Sequence, residues 1–185
     1  MIENLNEIIA KLPSNKQLLF GISCVYRMKT FLYKYFTNKE LMCFLTRLID
    51  EIFFNCTSEK FKSIGDTIGL EKEIEEYIPD TDEDGSCVVV LAQNAMIALA
   101  YCLNFIKEKK VIAIDYCSQK MIETVDVWAL SVLQLDNSDL LISQEIANQI
   151  HILNMIKKMS CNISYNDLES YRNELEQYKM IWHNQ

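Results

Sequence analysis

The sequence predicts an all-α, single-domain bundle of about seven helices packed around a central apolar helix at residues 86–108. Three observations predict it. Only four Gly and two Pro occur in 185 residues, too few turn-makers for a sheet that needs a turn about every 8–12 residues. The stretch from Cys87 to Ile106 carries no charged side chain, long for a strand and natural for a buried helix. Patterns of Ser or Thr followed three residues later by Gln, Glu or Asp stand at the head of several periodic stretches, as helix starts require.

Residues 2–12 form an amphipathic helix with Leu5, Ile8, Ile9 and Leu12 on one stripe, stopped by Pro13. Ser14 to Gln17 reads as a capping box opening a helix to about Phe36, and Thr37 to Glu40 as a second, opening a helix to about Asn55. The stretch 57–69 is weaker, with breaks expected at Gly65 and Gly69. Helix resumes from Leu70 to Tyr77 and ends before Pro79. The acidic loop Asp80 to Gly85 leads into the apolar helix 86–108. Further helices are expected at about 110–135 and 140–160. Ser164 with Asp167 marks the start of a last helix reaching about Trp182. No linker, repeat or low-complexity tract divides the chain, so residues 1–185 read as one domain.

Seven cysteines, at 24, 43, 56, 87, 102, 117 and 161, are spread without any CxxC pair. An odd, unclustered set points to reduced, mostly buried thiols in the cytoplasm, and the acidic, amphipathic start is unlike a secretory leader. The apolar helix invites a membrane reading, because Lys107, Lys109 and Lys110 follow it like a cytoplasmic flank. Gln93 and Asn94 near its middle, and Asn104 near its end, oppose that reading. Amides are costly in lipid but tolerable in a core that supplies partners. A buried central helix bonded to its neighbours is the expectation.

The formal charge of −8 is unevenly placed. Residues 1–70 hold nine Lys/Arg against seven Asp/Glu, and residues 91–185 hold eight against eleven. Residues 71–90 hold one against eight. Such a patch is a solvated face or a steering surface for a basic partner. Glu73, Glu76, Asp80, Asp82, Glu83 and Asp84 are the candidate partner-binding residues. Phosphates would be repelled, so nucleic acid is not expected there. Asp80, Asp82, Asp84 and Gly85 match the first half of a calcium loop, but its twelfth position is Leu91 rather than a bidentate Glu. No metal and no cofactor is expected.

Catalytic patterns are missing. His151 and His183 have no second His at ligand spacing. Four glycines supply no phosphate-binding loop or nucleophile elbow. Cys24, one turn from Arg27, is the single mild nucleophile candidate, and ordinary apolar packing explains it as well. No catalytic residue is assigned.

Leu12, Gln17, Phe20, Cys24 and Arg27, then Phe36 and Leu48-Ile49-Asp50, then Ile78-Pro79-Asp80-Thr81 and Ser86, stand out as a set. With Ala92-Gln93-Asn94-Ala95, Gln144-Glu145 and Gln149, they resemble the YjaG-like family of small bacterial helical proteins, a domain of unknown function. The resemblance spans about residues 12–150. The family tends to carry an acid where this chain has Tyr26, and Asp where it has Asn94. It implies an all-α bundle, and brings no activity.

A non-enzymatic protein-binding module follows, most concretely an immunity protein that neutralises a co-encoded basic, nuclease-like toxin through the acidic surface at 71–84. The alternative is a housekeeping YjaG-like protein with a ligand-binding or regulatory role, in which Gln93 and Asn94 would line a polar pocket.

Overall fold

Pro13 sets the first corner of the bundle. In the computed structural model, which describes residues 3–57 and 67–181, helix α1 (Glu3–Ala10) ends just before it and α2 (Ser14–Tyr35) begins just after. Then come α3 (Lys39–Asn55), α4 (Thr67–Glu76), α5 (Cys87–Glu108), α6 (Ile112–Val127), α7 (Asp139–Lys158) and α8 (Tyr165–Leu175). No strand occurs among the described residues. The fold is all-α, with eight α-helices described against the seven or so expected.

The centre is a three-helix layer of α2, α5 and α6. Helix α5 is long and apolar enough to cross a membrane by length and composition, and most of its surface is buried within the bundle. Every residue of α2 from Asn15 to Met28 is buried too. Polar side chains at its start reach across the bundle: Asn15 Nδ2 donates to the carbonyls of Cys56 and Cys161, and Lys16 Nζ to those of Lys157 and Met159. Lys16 thereby closes the C-terminal end of α7, where open carbonyls favour a cation. Gly21 permits the close approach of α2 to the α5–α6 hairpin; a Cβ there would stand 2.8 Å from Ile114 Cδ1 and 3.3 Å from Cys102 Sγ. Around this layer, α3 packs on α2, α4 on α5, α7 on α6, and α8 on α3.

Several helix ends differ from the sequence reading, each for a physical reason. Ser14 is not an N-cap: Pro13, in extended conformation, takes that place, and Gln17 Nε2 donates instead to the Ile9 carbonyl. The cap of α3 is Asn38, one residue past the expected Thr37, its side chain accepting from the N–H groups of Glu40 and Leu41. The Ser164–Asp167 capping box forms as expected. Gly69 does not break the chain but lies inside α4; the expected break at Gly65 falls outside the described residues. The helix expected to reach 135 stops at Val127 and runs through one π-helical turn, Trp128–Val132. Gln134 then adopts a left-handed φ of 53°, and Leu135 N–H bonds back to the Ala129 carbonyl. The last helix ends at Leu175, followed by a short 3₁₀ turn, Glu176–Tyr178, rather than reaching Trp182.

Candidate functional site

Helix α4 carries the acidic segment and is pinned to α5 by its own first acid. Glu71 accepts from Lys107 Nζ at 2.9 Å and Asn104 Nδ2 at 3.2 Å, while Ile74 is buried beneath the helix. Beyond α4, Pro79 is buried, and its carbonyl accepts from Gln93 Nε2 at 2.8 Å. Gln93 is half-buried and bonds helix to loop, not helix to helix. Asn94 is buried in the core beside it.

That scaffold leaves the remaining acids outward. Glu73, Glu76, Asp80, Asp82, Glu83 and Asp84 are all exposed, and none is ion-paired among the described residues. Asp80 Oδ1 accepts from the Asp82 N–H and Asp84 Oδ1 from the Ser86 N–H, so two carboxylates hold the turn while the edge stays negative. Two of the six lie on α4 and four on the loop entering α5. Leu91, at the twelfth position of the calcium pattern, is fully buried, so no ligand closes the loop from there.

The polar heart of the bundle lies elsewhere. Arg27, 2% exposed, forms a two-pronged ion pair with Glu145, 3% exposed, at 2.7 and 2.5 Å. Its Nε donates to the Tyr178 carbonyl, and Gln149 Nε2 bonds the same carboxylate. Ser118 donates to Gln149 Oε1 and its carbonyl accepts from Gln149. Burial opposes the charge on Arg27, yet the hydrogen bonds and charge of Glu145 outweigh it and hold the guanidinium pKa above its ordinary value. The network is closed on itself. The sequence reading named Arg27, Glu145 and Gln149 within the family resemblance but did not pair them, since Glu145 lies 118 positions from Arg27; the signal was an Arg and a Glu-xxx-Gln pair on otherwise apolar helix faces.

Cys24 is buried in the core. Burial pushes its thiol pKa well up, and the nearby Arg27 is engaged by Glu145. All seven cysteines are free; Cys24, Cys56, Cys102 and Cys117 are buried, while Cys43 and Cys161 are exposed. Cys102 and Cys117 lie 3.8 Å apart between α5 and α6. His151 is exposed against the ring of Tyr178, and His183 falls outside the described residues. Among the described residues no group of three His, Cys, Asp or Glu is placed to hold a metal.

A shallow cleft of about 230 Å³ opens beside α8, lined by Tyr26, Tyr165, Leu168, Glu169, Arg172, Asn173 and Glu176. Its groups answer one another. The Tyr26 hydroxyl donates to Glu176, Arg172 pairs with Asp50 at 2.7 Å, and Lys29 Nζ stands 3.6 Å over the Tyr26 ring. Burial, then Glu176, pushes the Tyr26 hydroxyl up to about 12.

No protein-family model and no curated protein matches the chain. The structure is similar to that of a DUF416 family protein from Shewanella baltica OS155, with a TM-score of 0.73 at 16% identity, covering 94% of this chain and 93% of that one. At that identity the likeness establishes a shared fold: this chain has the bundle architecture of a domain of unknown function.

Proposed function

We propose that the protein is a non-enzymatic, protein-binding module of the bacterial cytoplasm. Most concretely, it is an immunity protein that neutralises a co-encoded basic, nuclease-like toxin. The observation that carries this reading is the presentation of charge. Glu71 is consumed in pinning α4, while the six acids of the edge stand exposed and unpaired on a well-anchored scaffold. A dense edge of one sign accelerates encounter with a basic surface and can cover the Lys and Arg a nuclease uses for phosphate contacts. The buried ion pair supports a structural role for that network, since Arg27, Glu145, Gln149 and Ser118 bond to one another.

The chain is further read as a divergent YjaG-like protein. Support comes from the shared fold and from the positions of the resemblance: Arg27, Glu145 and Gln149 converge in one network, and Pro79 meets Gln93 in another. On this reading Arg27, Glu145, Gln149, Pro79 and Gln93 hold the architecture, and partner choice belongs to the acidic edge.

The test is capture from the native host followed by protection. The tagged protein should retain a basic protein encoded beside it, and co-expression should rescue cells from that protein's toxicity. A captured partner that is acidic, or no rescue by the wild-type chain, would refute the reading.

A further inference from the structure

Three leucines stand exposed between the end of α6 and the start of α7. Leu130 in the π-turn and Leu135 in the link to α7 are each 43% exposed, and Leu140 in the first turn of α7 is 79% exposed. Three independent features mark this turn as more than a connection. Its backbone leaves α-geometry for a π-turn, a form that recurs at functional sites. Gln134 occupies a left-handed position that glycine would fill without strain. Trp128 Nε1 is buried at its base with no hydrogen-bond acceptor, an uncommon state for an indole N–H.

Its position completes the case. Helices α5 and α6 are joined by only residues 109–111 and pack along their lengths as an antiparallel hairpin, with Cys117 beside Ala98 and Cys102. Continuing that register puts the π-turn, which packs on α5, beside the first turns of α5. There the loop Asp80 to Gly85 delivers the chain. The exposed leucines and the acidic loop therefore share one end of the bundle. No Lys or Arg occurs between Lys120 and Lys157, while Asp136 and Asp139 flank the leucines and are exposed.

We propose that the leucine turn at 128–141, flanked by the acidic loop, seats a basic amphipathic helix of the protein partner. It rests on the basic partner proposed for residues 71–84 and names what that partner presents. Exposed charges speed encounter but hold little, because each rim contact is weak and screened. Affinity needs a desolvated apolar centre. Tyr77 is the one large apolar side chain exposed among residues 71–84; the leucine turn supplies that centre, and the acids select a cationic rim. An anionic membrane surface would be repelled by the same acids.

The probe is a synthetic helix of about 18 residues, five turns, with Leu on one face and Lys on the other. A control peptide keeps every Lys and replaces Leu by Gln. Trp182→Phe leaves Trp128 as the sole indole reporter. Titration with the Leu/Lys helix should shift Trp128 emission saturably, and the Gln/Lys control should bind at least about tenfold more weakly. Leu130→Ser/Leu135→Ser/Leu140→Ser should weaken the Leu/Lys helix at least about tenfold with an unchanged melting curve, and Leu140→Ser alone should weaken it measurably. Equal binding of both peptides, parental binding by the leucine variants, or equally strong capture by phosphatidylglycerol vesicles would overturn the proposal. Asp80→Lys/Asp82→Lys/Glu83→Lys/Asp84→Lys reads the other claim. If only that reversal leaves binding intact, the acidic edge fails and the leucine seat stands; if only the leucine variants leave it intact, the seat fails.

Discussion

Arg27 shows how one side chain can organise a core without doing chemistry. Its guanidinium meets a carboxylate and a carbonyl, and Gln149 completes the carboxylate's shell. Taking one partner away leaves the other charge buried and bare, so Arg27→Met should cost about 3–5 kcal/mol in urea unfolding. Arg27→Met/Glu145→Leu, which removes both charges, should recover most of that loss. A double variant no more stable than the single would show that packing, not the pair, matters there. Asp115 is the opposite case. Burial raises its carboxyl pKa, and Oδ1 has no hydrogen-bond partner. A raised carboxyl pKa means the fold prefers the protonated form, so the group weakens the fold as pH rises from about 4 through the folded pKa. Asp115→Asn should therefore melt higher than the parent at neutral pH, with the difference vanishing in acid. A difference that grows in acid would contradict this sign.

Helix order and type were legible in the sequence, because long apolar periodicity and sparse Gly and Pro leave few alternatives. The ends were read less well. The Ser164–Asp167 box forms as read, whereas Pro13 displaces Ser14 and Asn38 displaces Thr37. The π-turn left no mark in composition, since Trp128 to Val132 is as apolar and helix-compatible as the turns before it. The acidic edge was legible as a run of like charge; the buried network was not, because its members come from α2, α6 and α7. Gln134→Gly tests the link after the π-turn: relieving a left-handed side-chain position should raise stability by about 1 kcal/mol. Gln93→Ala tests the scaffold of the edge. Without the bond to the Pro79 carbonyl, amide exchange should quicken across residues 80–86 while α2 stays protected. Unchanged exchange there would mean that Pro79 burial alone fixes the loop.

At the scale of the whole molecule, the excess of acids over bases is concentrated in one segment, while Arg27, Glu145, Gln149 and Ser118 pair with one another inside the bundle. Residues 71–90 carry eight acids and one base out of a formal net charge of −8. Helix α4 is fastened by Glu71 to Lys107 and Asn104, so the edge moves with the bundle rather than as a loose tail. A rigid charged edge should act on encounter first and on residence second. The decisive measurement is the association rate of the captured basic partner with the wild-type protein and with a combined reversal of Glu73, Glu76, Asp80, Asp82, Glu83 and Asp84 to Lys, over a salt series. The wild-type rate should fall steeply as salt rises, the reversed protein should associate at least about tenfold more slowly at low salt, and the two rates should converge at high salt. Equal rates for the two proteins at low salt, with both melting alike, would mean that the edge is only solvated surface and that recognition lies elsewhere on the bundle.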